Sequence, residues 1–308
     1  MKNVLIIKIG ALGDVVRTTA ILKKFKLCNV TWFTSNKAKP LLNNNPYISR
    51  VLTETSINDA YDRKYDIILN MDEAENGCKL VSGLLKKNMA GKIYGYYMQN
   101  SSVHYNGKDT EWLDISLSGK FSKKKALDPR WKNKADELKW LNRRSYEDHM
   151  FSILGFKFNG EKYILSCKTR TRKGIVGIQN PLQRNTKWPM KRWNKYDELA
   201  KAIQEIGYQT KFLEIHEKLE DHITDIAECE YIICEDSLPM QIAIALRKQT
   251  IALFICTSPY EIYGHGIVTK IVSSKLKEYF YRRDFDPYAA STISLDTVLN
   301  AFKKLIQR

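Results

Sequence analysis

The sequence predicts an α/β protein made of two doubly wound domains, and three observations predict it. The chain opens on a β-branched apolar run, a glycine-bearing turn and an amphipathic helix. Strand-like and helix-like patterns then alternate along most of its 308 residues, and the alternation restarts after a break at 157–173. That length is about two domains' worth, and a hydrophobic content of 44% supplies two buried cores.

Residues 4–9 are short and mostly apolar, as a buried strand requires. Gly10 and Gly13 let the backbone turn tightly, and Asp14 stands at the mouth of a helix running to about residue 26. Val15, Ile21, Leu22 and Phe25 share one side of it, while Lys23, Lys24 and Lys26 load the last turn, where the helix dipole favours cations. Strands follow at 30–34, 48–53 and 65–71, with a short helix at 38–44. A helix at 78–87 and a strand at 93–98 continue the pattern. Residues 100–135 are polar and weakly patterned, which suits a binding loop, and 145–154 is a short helix stopped by Gly155.

The second set begins with a strand at 174–179 and a polar loop reaching Trp188-Pro189. Asn194 is the expected cap of a helix to about residue 206, with Gly207 as its stop. Strands at 209–213, 231–234, 250–255 and 269–272 alternate with helices at 218–227 and 238–246, and a helix at 294–306 closes the chain. The expected domains are 1–160 and 161–290, facing each other across a cleft, with 291–308 as a helix folding back toward the first.

The net charge of +16 is uneven, with +11 on residues 1–160 and +5 on the remainder. A basic half suits an anionic partner: nucleic acid, a phosphorylated glycolipid or an acidic membrane surface. A lysine-rich solvated face is the plainer reading, and no compact aromatic-interleaved RNA motif appears. The six cysteines form no C-x-x-C pair or zinc spacing, so reduced thiols are expected. Lys8 splits the apolar N-terminal run, against a signal peptide, and no stretch approaches the length of a membrane span. A cytoplasmic protein is expected.

Three stretches bear chemistry. The G-x-x-G-D spacing of residues 10–14 disfavours a nicotinamide dinucleotide, which wants G-x-G-x-x-G. Asp14 there is either a plain cap for the helix start or a functional carboxylate. At 231–259 a strand ends in Glu235 and Asp236, and Ser237 and Leu238 enter a helix whose first amides suit a phosphate. A second polar turn, Cys256-Thr257-Ser258-Pro259, follows the next strand. At 183–193, Thr186 and Lys187 offer a hydroxyl and an ammonium to a diphosphate, beside Trp188-Pro189. The D-x-D at Asp284 and Asp286 lies in a charged surface-like run and reads as structural, so no metal site is expected.

Taken in order, I-G-A-L-G-D-V-V-R-T at 9–18, T-K-W-P-x-x-R-W at 186–193, D-S-x-x-M-Q-x-A-x-A at 236–245 and F-x-x-T-S-P at 254–259 resemble glycosyltransferase family 9. That family holds the ADP-heptose:lipopolysaccharide heptosyltransferases, with a GT-B fold of two facing Rossmann-like domains. The resemblance covers most of the chain and is weakest over 100–140. It implies Asp14 as general base, Lys187 with Thr186 on the donor phosphate, and Asp236, Ser237 and Leu238 around the diphosphate. Glu217 is the nearest match to the acidic residue that meets the donor ribose. The family's D-T-G-x-x-H reads here Asp236-Ser237-Leu238-Pro239-Met240-Gln241, which narrows backbone approach to a phosphate and puts Gln241 where a His would stand. Residues 66–73 also lack the D-x-Q-G of the lipopolysaccharide enzymes.

The resemblance implies inverting transfer of a heptose-like sugar from a nucleotide-sugar donor, ADP-heptose, to a glycan or glycolipid acceptor. Neither metal nor cofactor is expected, transient contact with the inner membrane leaflet is, and nucleic acid is not the expected partner. The rivals are a degenerate GT-B protein that binds anionic glycan or nucleic acid without transfer, and a GT-B nucleotide-sugar epimerase or hydrolase.

Overall fold

The computed structural model describes residues 1–107, 109, 112, 129–179, 188–214, 216–282 and 284–307, with 129–134 as backbone only. The chain divides into two compact units, Met1–Ser166 and Cys167–Arg308. The division falls inside the stretch where the sequence pattern breaks.

The first unit carries strands β1 (Lys2–Ile7), β2 (Cys28–Phe33), β3 (Arg50–Leu52), β4 (Tyr65–Asn70), β5 (Ala90–Gln99) and β6 (Ser102–Asn106). They lie in the order β3-β2-β1-β4-β5-β6, parallel except for the antiparallel β5–β6 hairpin. Strand β1 is central, so Val4, Leu5, Ile6 and Ile7 are all fully buried. Its helices are α1 (Leu12–Thr18), α2 (Glu75–Lys86), α3 (Pro129–Leu141) and α4 (Tyr146–Ile153). On one face, Leu80, Val81 and Leu84 of α2 pack on Leu5, Ile7, Phe33 and Ile68.

Three expectations need correction. The opening helix is not continuous to residue 26: α1 ends at Thr18, and Thr19–Phe25 is a 3₁₀ helix. The Thr18 hydroxyl donates to the Asp14 carbonyl at 2.6 Å and that of Thr19 to Val16 at 2.5 Å, taking carbonyls that α-helical amides would use. Residues 100–135 are not one loop: β6 and most of α3 lie there. The β5–β6 turn is Asn100-Ser101, both at positive φ, as a two-residue hairpin turn of the primed kind needs. Asn194 is not the cap of its helix, since the capping position falls on Lys195, which gives no side-chain bond.

The second unit holds β7 (Ile175–Gln179), β8 (Gln209–Leu213), β9 (Tyr231–Glu235), β10 (Gln249–Phe254) and β11 (Val268–Val272), all parallel, in the order β11-β10-β9-β7-β8. Its helices are α5 (Tyr196–Glu205), α6 (Leu219–Glu228), α7 (Leu238–Ala245), α8 (Pro287–Ser291) and α9 (Leu295–Ile306). Strand β7 needs a glycine at 177, because a Cβ there would stand 2.7 Å from Ile232 and 2.8 Å from the Cys229 sulfur. The closing helix α9 buries Val298, Phe302 and Leu305 in this unit's core, with Phe302 edge-on to Tyr208 and Tyr231.

In both units the first strand sends its successors to opposite sides, at β1/β4 and at β7/β9. Open α/β sheets hold ligands beyond the carboxyl ends of strands at such a switch point.

Candidate active site

At the β1/β4 switch point the chain gathers charge. Lys8 follows β1, is buried, and donates to the Met71 carbonyl at 3.2 Å and to Asp72 at 3.4 Å. Asp72 also accepts from the amides of Ile9 (3.1 Å), Gly10 (3.2 Å) and Ala74 (3.1 Å). Burial alone would raise the Asp72 carboxyl, but Lys8 and these amides hold it below its ordinary value. Burial likewise opposes the Lys8 charge, and Asp72, with Tyr146 and Asp14 nearby, more than restores it.

Asp14 lies in the first turn of α1 and is not its cap, because the capping position is Ala11, which has no side-chain bond to give. The Asp14 carboxylate is held instead by Arg17, one turn on. Arg17 Nε and Nη2 donate to Oδ1 at 3.0 and 2.8 Å. The Asp14 side chain keeps 22% of its surface exposed. Gly10 and Gly13 do not serve through left-handed backbone: neither has a positive φ, a Cβ on Gly10 would meet nothing within 4 Å, and the Gly10–Ala11 peptide is cis.

At the β7/β9 switch point the bond that joins the strand ends is neutral. The Ser237 hydroxyl donates to the Gln179 side chain at 3.3 Å and to the Glu235 carbonyl at 3.2 Å, tying the ends of β7 and β9. Ser237 stands at the capping position of α7 without a side-chain bond to it, and Leu238 opens the helix. Pro239 has no N–H, so the first turn offers the amides of Ser237, Leu238 and Met240. Gln241 is buried, and its Oε1 has no hydrogen-bond partner among the described residues. The same holds for the Thr257 hydroxyl, just beyond β10. Lys191 reaches in from the 3₁₀ turn Pro189–Lys191, donating to the Asp236 carbonyl at 2.7 Å and carboxylate at 3.1 Å. Glu235 accepts from the Trp193 amide at 3.2 Å, and burial pushes its carboxyl up to about 7 against the pull of that bond and of Lys191 and Arg192.

Thr186 and Lys187 lie outside the described residues. Glu217 is exposed in the loop after β8, on the same carboxyl edge. Asp286 caps α8 through the amides of Tyr288 (2.9 Å) and Ala289 (3.3 Å), and Asp284 pairs with Arg282. Among the described residues, no three His, Cys, Asp or Glu side chains gather as metal ligands, and no helix is long and apolar enough to cross a membrane.

The profile of Glycosyltransferase family 9 (heptosyltransferase) matches residues 216–288. The lipopolysaccharide heptosyltransferase 1 of Campylobacter coli is 23% identical over 357 aligned residues, covering 98% of each chain. Over these residues and along its length the chain is similar to heptosyltransferases of glycosyltransferase family 9. The family 9 glycosyl transferase of Veillonella parvula superposes with a TM-score of 0.64 at 17% identity, covering 99% of this chain and 97% of that one. The ADP-heptose lps heptosyltransferase II of E. coli gives the same TM-score, 0.64, at 15% identity over 100% and 99%. The chain thus shares the fold of these two proteins.

Sequence reading missed Lys8 as a site residue, along with Asp72, Arg17 and Lys191. Lys8 and Arg17 did carry a signal: each is a cation placed where an apolar neighbour would be expected, in a buried strand and on the buried side of a helix. Asp72 and Lys191 gave none, because Lys8, Ile9 and Gly10 lie 62–64 residues from Asp72 and Asp236 lies 45 residues from Lys191.

Proposed function

We propose that this chain transfers a heptose-like sugar from ADP-heptose to a hydroxyl of an anionic glycan or glycolipid, with inversion and without a metal. The observation that carries the reading is Asp14: a partly exposed carboxylate at a switch point, with Arg17 on one oxygen only. The sugar and nucleotide come from the name of the E. coli neighbour.

In this reading Asp14 accepts the proton of the acceptor hydroxyl, since a carboxylate is ionised at neutral pH. The hydroxyl oxygen bonds to the anomeric carbon from the side opposite the diphosphate. The bond from that carbon to the phosphate oxygen breaks, and ADP leaves with the electron pair. Stabilising the departing charge is the larger task. Lys187 and Thr186, the amides of Ser237, Leu238 and Met240, and Gln241 take it up, while Asp236 holds Lys191 at the same rim and Glu217 meets the ribose. The basic first unit faces an anionic glycolipid at the inner leaflet of the cytoplasmic membrane.

A thermal-shift panel of ADP-, GDP-, UDP- and CMP-sugars tests the donor. ADP-heptose at a hundred times its Kd is expected to stabilise the fold by about 2.7 kcal/mol. Asp14→Ala should keep that shift and lose transfer by roughly 10²–10⁴-fold. A panel without any shift, joined to steeply salt-dependent binding of random RNA, would establish the non-transferring rival instead.

A further inference from the structure

Arg17 is the side chain the proposed mechanism leaves unused, and its surroundings are unusually complete. It is buried on α1, and both of its bonds to Asp14 end on the same atom, Oδ1. No bond is made to Asp14 Oδ2 among the described residues, so the two oxygens are inequivalent.

The guanidinium is itself fixed from a distant part of the chain. Its carbon stands 4.0 Å above the Tyr146 ring, a cation–π shelf at the start of α4. The Tyr146 hydroxyl shares a 2.6 Å hydrogen bond with Thr18, whose own hydroxyl donates to the Asp14 carbonyl at 2.6 Å. The first turn of α4 is set by a capping box: the Asp148 amide donates to Ser145 Oγ at 3.1 Å, and the Ser145 amide to Asp148 Oδ2 at 3.0 Å. Beside Tyr146, fully buried Glu147 accepts from the Tyr163 hydroxyl at 2.5 Å and adds a second carboxyl to the field at Arg17. Burial opposes the Arg17 charge, and Asp14 and Glu147 keep the guanidinium protonated.

We infer that Arg17 is a positioning residue: seated on Tyr146, it clamps Asp14 Oδ1 and thereby makes Oδ2 the atom that receives the acceptor's proton. The inference rests on the reading of Asp14 as general base. A guanidinium suits the task because its planar fork sends two N–H groups to one oxygen, whereas an ammonium is a point charge without fixed direction. Holding the carboxylate in one orientation removes the rotations that would otherwise spoil the attack geometry.

The test is steady-state transfer from ADP-heptose to heptose-free lipopolysaccharide by the full chain. Arg17→Met is expected to lower kcat roughly 100-fold while the donor KM stays within threefold. Arg17→Lys, which keeps the charge and guards against a folding failure, should fall between it and the parent. Tyr146→Leu should cost roughly 10-fold in kcat. None of these changes should lower the residual rate of Asp14→Ala further, since a positioning residue has nothing left to position. If Asp14→Ala is inactive while Arg17→Met and Arg17→Lys keep kcat within twofold, the inference fails and the base stands. An equal loss in the Asp14→Ala background also overturns it. If Asp14→Ala turns over normally, the base reading falls and takes the inference with it.

Discussion

The two switch points are built from the same topology with different chemistry. Between β1 and β4 the chain closes the gap with ions: Lys8 on Asp72, and Arg17 on Asp14 close by. Between β7 and β9 the bond that joins the strand ends is neutral, from Ser237 to Gln179, with the Lys191–Asp236 ion pair at the rim, and the oxygens of Gln241 and Thr257 are buried without partners among the described residues. A buried charge must be matched where it stands, so the first turn carries its own counter-ions. An unmatched neutral oxygen costs less and can be matched later by a ligand. The buried Lys8–Asp72 pair is matched within the protein, whereas the second turn holds buried oxygens without partners among the described residues.

The largest effect expected from breaking this contrast is at Lys8. Lys8→Met should destabilise the protein by about 2–4 kcal/mol, because it strands a mostly buried carboxylate whose remaining partners are amides. Urea melts of both proteins measure it, and an unchanged midpoint would show that the pair does not hold the turn.

A middle-sized effect is expected at Glu235, and it depends on pH. Its carboxyl sits at about 7 in the fold, above the unfolded value near 4.3, so the native state keeps a proton that the unfolded chain has lost. Below pH 4.3 both states are protonated and the group contributes nothing. As pH rises from there to 7 the unfolded state gains, and stability falls. Glu235→Gln should therefore match the parent at pH 4 and exceed it by on the order of 1–3 kcal/mol at pH 8. Equal melts of variant and parent at both pH values would mean the carboxyl is ionised in the fold.

The smallest effect is at Gln241. Gln241→Met removes an acceptor that has no partner among the described residues, so apo stability should change by no more than about 1 kcal/mol. The shift produced by ADP-heptose should shrink if the carboxamide is matched by the donor. A full ligand shift would make Gln241 a packing residue and weaken the contrast between the turns.

Much of the fold was legible because its signals are local. The apolar run at 4–9, the stop at Gly207 and the amphipathic closing helix each fix their own element. The break in α1 was not, because it depends on two threonine hydroxyls turning back onto carbonyls instead of outward. The β5–β6 hairpin did carry a signal in Asn100-Ser101, which was obscured by the polar stretch that follows. At the site, Asp14 and Ser237 stood out by their position after a strand, and Gln241 only through the motif resemblance. Their partners did not: Tyr146 is 128 residues from the Thr18 it bonds, and no spacing rule reaches that far.

Asn70 ends β4, and its amide works in two directions. The Nδ2 group donates to the Tyr96 carbonyl at 2.9 Å, while Oδ1 accepts from the Asp72 amide at 3.0 Å. A Cβ on neighbouring Gly95 would lie 1.9 Å from the Asn70 carbonyl. One side chain thus staples the outer hairpin to the ionic turn, with no slack for a bulkier neighbour. Homologues that lengthen or reshape that hairpin should therefore show paired changes at 70 and 95, and grafting a foreign hairpin without them would disturb charges on the far side of β4.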